Sequence, residues 1–97
     1  MIEIVLSRRA REDFKRIWRF IAADNEAAAD KLLLAIDKSI ERLRRHPEIG
    51  RKRNDIRPGA RMLVYGNYIV LYEFRRPENT VEIVAVVEGM RDLEYLF

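Results

Sequence analysis

The chain has no cysteine, one histidine and one tryptophan among its 97 residues. Without cysteine there are no disulfides and no thiolate metal ligands, and nothing demands an oxidising compartment. No metal-spaced cluster, phosphate-cradling glycine loop or Ser-His-Asp set is present. No stretch approaches the length of a membrane span. The N-terminal "MIEIVLSRRARED" lacks the long apolar region followed by small residues that marks a secretory signal. Repeats, linkers and low-complexity tracts are also missing. These absences point to a soluble, cytoplasmic protein without a membrane partner, a metal or a cofactor.

What is present is a core. Hydrophobic residues make up 48% of the chain, which excludes disorder and fits one compact domain over residues 1–97. Net charge is +3 and the pI is about 9.5. That balance permits a nucleic-acid, nucleoprotein or acidic protein partner without choosing among them.

The order of elements is legible. "MIEIVLS" alternates Ile2, Ile4 and Leu6 on one face and reads as a strand. Ser7 offers an N-cap for a helix through about Ala23, with Ala10, Phe14, Ile17 and Ile21 as its inward stripe. Its other face carries Arg8, Arg9, Arg11, Glu12, Lys15, Arg16 and Arg19, which is most simply a solvated face of mixed sign. Asp24 or Asn25 breaks this helix and caps the next. The spacing predicts one long helix from about Glu26 to His46, with Ala29, Leu32 or Leu33, Ile36, Ile40 and Leu43 inward and Pro47 as its stop. Arg44, Arg45 and His46 then suit the negative end of its dipole. Strands follow over Arg61–Tyr65 and Tyr68–Phe74, joined by the hairpin signal Gly66-Asn67. A third covers Thr80–Val87. The last two are apolar on both faces and therefore central. A short tail, "MRDLEYLF", follows Gly89. The β-α-α-β-β-β order predicts a two-layer α+β domain. A helical hairpin packs on one face of a small, mostly antiparallel sheet of about four strands. The other face is left to the tail, the basic loop or a partner.

Two features go beyond the core. "IGRKRNDIRPGAR" sets Arg51, Lys52, Arg53, Arg57 and Arg61 in one loop-like segment beside a deeply apolar strand. For Arg51, Lys52 and Arg53 a solvated loop is as good an account as a site. Arg61 opens a strand after a Pro-Gly turn, where it either pairs with an acid such as Glu88 or Asp92, or grips a phosphate or carboxylate. Trp18, Leu33 and Leu34 exceed the needs of the inward stripe. They are either core or an exposed apolar strip for a partner.

Taken in order, "SRRAREDFKRIWRFIA", "LRRHPEIGR", "IRPGARMLVYGNYIVLYEF" and "VEIVAVVEGMRDL" resemble the RelE/ParE superfamily of type II toxin–antitoxin toxins, also called plasmid stabilization proteins, over essentially the whole chain. The Ile17-Trp18 pair, the Pro-x-x-Gly at Pro47–Gly50 and the "RPGAR" before "YIVLY" lean toward the ParE branch. The resemblance implies a toxin neutralised by a ParD-like antitoxin bound over Trp18, Leu33 and Leu34. ParE-like relatives inhibit DNA gyrase through a binding surface and need no catalytic residues. Arg51, Arg53, Arg57, Arg61 and Arg91 are the target-binding candidates. The alternative is a RelE-like endoribonuclease that cuts mRNA on the ribosome, with Arg61, Glu88, Arg91 and Tyr95 as its reaction centre. Glu88 stands where many relatives carry histidine, which weighs against that alternative.

Overall fold

Ser7 ends the first strand and starts the first helix. The computed structural model describes residues 1–96. β1 covers Glu3–Leu6 and α1 covers Arg8–Ala22. The Ser7 side chain accepts from the Ala10 N–H at 2.9 Å, satisfying one of the free donors of the helix start. Asn25 caps α2, Glu26–Glu41, in the same way through Ala28. The two helices form the expected hairpin. α2 is shorter than its apolar spacing predicts. It tightens at Arg42–Arg44 into a 3₁₀ turn, so His46 lies beyond the regular helix. The tightening swings Leu43 fully into the core.

The sheet has five strands rather than four. β2 is Arg51–Lys52, β3 Ala60–Tyr65, β4 Tyr68–Arg75 and β5 Thr80–Glu88, in the order β1-β5-β4-β3-β2. β1 runs parallel to β5, and the other pairings are antiparallel. β2 pairs with Met62 and Arg61. Two charged, exposed residues carry no apolar alternation, so pattern alone gives no strand there.

Each face of the sheet has its own core. Val70, Tyr72, Val81, Ile83 and Val86 pack under Ala10, Ile17, Ile36, Ile40 and Leu43 of the hairpin. Met62, Ile69, Leu71, Ala85 and Val87 face the other way. They are covered by Leu93 of a tail helix, α3 (Gly89–Glu94), and by Ile56 of the basic loop. A bulge in β5 shifts the alternation of that strand between the two cores. Leu71 faces Ala85 and Tyr72 faces Ile83, so Val84 is extra and the inward parity passes from Ile83 to Val86.

The Pro47-x-x-Gly50 segment closes the open end of the hairpin over Tyr72. The Tyr72 hydroxyl donates to the Pro47 carbonyl at 2.9 Å and accepts from the Gly50 N–H at 2.8 Å. A Cβ at Gly50 would stand 2.5 Å from the Tyr72 ring and hydroxyl, so only glycine fits this approach.

Candidate functional site

The basic segment is largely neutralised from within. Arg53 makes a two-pronged bond to Asp55 at 3.0 and 2.9 Å, and this holds the Asp55 carboxyl below its ordinary value. Its remaining nitrogen touches the sulfurs of Met62 and Met90, tying the loop to α3. Arg57 is ion-paired with Glu73 at 2.9 Å. Arg61 is 17% exposed and donates to the carbonyls of Glu48 and Gly50, both at 2.9 Å. Its acidic partner is Glu48, at 3.5 Å, and not Glu88 or Asp92. The register explains this. Arg61 lies opposite Tyr72, whereas Glu88 lies opposite Tyr68 at the far end of β4. Of the candidate cations, Arg51 and Lys52 on β2 and Arg91 on α3 have no acidic partner among the described residues, so within this set they carry the available charge.

Arg61 lies apart from the other three residues of the alternative reaction centre. Arg61 shares the hairpin face with Tyr72 and Leu63. Arg91 lies on α3, which covers the opposite face through Leu93, and Tyr95 follows it, lining a common groove with Glu88 and with Ile17 of α1. Tyr95 is 77% exposed, with the Arg91 guanidinium 6.0 Å from its ring centre. Glu88 is exposed at the end of β5, beside Tyr68, whose hydroxyl is pushed up by burial and by that carboxylate.

Where α1 passes the end of β5, a groove of about 640 Å³ opens between Phe20, Ile17, Tyr68, Val87 and Tyr95. Arg9 and Arg16 stand on its rim, both anchored on Asp13. The Asp13 carboxylate is fully buried. It accepts from Arg9 Nε at 2.9 and 3.1 Å, Arg16 Nη1 at 2.7 Å and the Val86 N–H at 2.9 Å. The Ser7 hydroxyl donates to the Val84 carbonyl at 2.7 Å. Two side chains of the α1 region thus satisfy the backbone of β5 where β1 has ended and the bulge intervenes. Sequence reasoning missed Asp13, although its spacing from Ala10 and Ile17 places it on the apolar stripe.

The apolar candidates separate. Trp18 is half-buried and donates from Nε1 to Asp30 Oδ1 at 2.7 Å, linking α1 to α2. Leu33 is half-buried in a groove of about 490 Å³ between the hairpin and β1, with Ile4, Leu6, Phe14 and Ile40. Leu34 is 56% exposed. Phe20, which the helical stripe gave no reason to single out, is the more exposed residue at 78%. Among the described residues no group of side chains has metal-binding spacing, and no helix is long and apolar enough to cross a membrane.

Comparison with known proteins agrees with this fold. Toxin ParE3 of Caulobacter vibrioides is 29% identical over 94 residues, spanning 96% of this chain and 92% of its own. Toxin ParE1 of Mycobacterium tuberculosis is 32% identical over 66 residues, which cover 68% of this chain and 66% of that protein's length. The toxin fold of the chromosomal ParDE system from P. aeruginosa superposes with a TM-score of 0.76 at 17% identity, covering 92% of this chain and 97% of the other. The E. coli RelBE toxin–antitoxin complex gives 0.65 at 14% identity, over 92% and 98%. The profile described as the ParE toxin of the type II toxin–antitoxin system parDE matches residues 4–93, and the chain therefore belongs to the ParE family of type II toxins.

Proposed function

We propose that this toxin acts by binding DNA gyrase and does not cleave RNA, and that an antitoxin silences it by covering the hairpin around Leu33, Leu34 and Trp18. The observation that carries the first half is the separation of Arg61, held at Glu48–Gly50, from Glu88 and Tyr95, which line a groove at the end of β5. Cleavage by an RNA 2′-hydroxyl needs a proton acceptor, a proton donor and a phosphate-gripping cation around one phosphorus atom. The Arg61 guanidinium is instead spent on the loop at Glu48–Gly50. Arg51 and Lys52 on β2 have no acidic partner among the described residues, and positive charge without a proton acceptor beside it gives binding rather than turnover. The cations that serve this binding are Arg51, Lys52 and Arg91, with Arg53, Arg57 and Arg61 shaping the loop that presents them. The ParDE and RelBE relatives are solved as toxin–antitoxin systems, which supports an antitoxin partner here.

The test is a gyrase supercoiling assay with purified protein beside a translating extract. Inhibited supercoiling or accumulated cleaved DNA is expected, lost in an Arg51→Ala/Lys52→Ala/Arg91→Ala variant that keeps its fold. Codon-linked mRNA cleavage with gyrase untouched overturns the reading in favour of the endoribonuclease.

A further inference from the structure

A strand at the edge of a sheet offers unpaired main-chain groups to any strand that approaches it. This sheet treats its two edges differently. β2 is two residues long and presents only Arg51 and Lys52, both exposed. β1 is the longer edge. Glu3 and Ser7 donate their N–H groups toward β5, to Asn79 and Ile83. Alternation then turns the N–H and C=O groups of Ile2, Ile4 and Leu6 outward. Two of these outward carbonyls are already occupied. Arg44 Nη1 donates to Ile2 O, and Arg11 Nη1 donates to Leu6 O, both at 2.9 Å. The two arginines arrive from different elements, the 3₁₀ turn after α2 and the first turns of α1. Arg44 is steadied by Glu41, whose Oε2 lies 2.6 Å from its Nε.

The placement of these caps matches one competitor. Two β1 strands paired antiparallel about Ile4 would exchange bonds between the two Ile4 residues, then between Ile2 of each copy and Leu6 of the other. Every acceptor outside the central pair is a carbonyl that Arg11 or Arg44 holds. The same two-fold axis would press Arg11 of one copy toward Arg44 of the other. The edge would otherwise invite such pairing, because Ile4 and Leu6 flank the apolar groove with Phe14, Leu33 and Ile40. We propose that Arg11 and Arg44 are guards that keep a second copy of this chain from adding to β1 and hold the free toxin monomeric.

Sedimentation velocity over a concentration series tests this with three proteins. The native chain is expected to sediment as a monomer. Arg11→Ala/Arg44→Ala is expected to form a concentration-dependent dimer. Adding Ile4→Pro to that variant is expected to restore the monomer. Proline removes the central outward N–H, which the pairing with β5 does not use. A native dimer, a well-folded double variant that stays monomeric, or a dimer indifferent to Ile4→Pro each overturns the proposal. Should the alanine pair fail to fold, Arg11→Met/Arg44→Met keeps the side-chain stems over the groove and is read by the same criteria.

Discussion

Replacing Asp13 by alanine is the most informative single change to this fold. The carboxylate is fully buried and its removal strands the N–H of Val86, itself fully buried. An unsatisfied buried donor costs about 1–3 kcal/mol. The bonds to Arg9 and Arg16 are worth less, about 0.2–1 kcal/mol each, because both guanidiniums are half in water. With the small void that remains, the total is about 3 kcal/mol. Such a loss is a large part of the roughly 5–15 kcal/mol that holds a domain folded. It lowers the melting temperature by roughly 12–24 °C at this chain length. Asp13→Asn keeps the shape and one acceptor for Val86, but its amide hydrogens face the arginine donors, so about half the loss is expected. Urea unfolding of the three proteins, analysed for midpoint and slope, measures both differences. A cost under about 1 kcal/mol for alanine would show that water or a backbone shift satisfies Val86, and would refute the role given to the carboxylate.

Two further outcomes concern Tyr72 and Leu34. Burial raises the folded-state pKa of Tyr72 above its ordinary value near 10. The native protein then keeps a proton that the unfolded chain releases, so stability is whole below about pH 10 and falls as pH rises beyond it. Tyr72→Phe should flatten that alkaline limb in unfolding curves while costing about 1–3 kcal/mol at neutral pH through the Gly50 and Pro47 groups it abandons; an unchanged limb would contradict the assignment. Leu34→Asp should leave stability nearly unchanged, since the side chain is 56% exposed, yet weaken a ParD-like antitoxin's binding at least tenfold, about 1.4 kcal/mol, by calorimetry; full affinity would remove this residue from the interface.

Most of the architecture was legible because the apolar periods change cleanly, from two in β1 to helical spacing after Ser7 and back to strands after Gly59. Asn25 and Gly66-Asn67 marked boundaries by their local chemistry, whereas Pro47 placed the end of α2 too late, because the chain tightens into a 3₁₀ turn from Arg42. The losses share a cause: they depend on residues that only the fold brings together. β2 exists because Met62 and Arg61 lie beside Arg51 and Lys52, and nothing within those two residues requests a strand. Asp13 hides in a helix whose charged neighbours make one more acid look solvated, and its purpose is a backbone donor at Val86, at the opposite end of the chain. The five-residue basic cluster looked like one surface, but Asp55, Glu73 and Glu48 divide it into structural and available charges. Leu34 followed from the triple leucine. Phe20 did not, because a single aromatic beside an arginine gives no hint of which way it points.

The parallel pairing of β1 with β5 also sets a timetable. Ile4 finds its partner at Val81, Ser7 bonds to Val84 and Asp13 waits for Val86. A chain made from its N-terminus on a ribosome, at roughly 5–20 residues per second, can assemble the hairpin of α1 and α2 early from local contacts. It cannot seat that hairpin until β5 has left the exit tunnel. Contacts of such long sequence separation are slow to close in any case. Until β5 is made, the apolar stripe of the hairpin lacks the strand that carries Val81, Ile83 and Val86 beneath it.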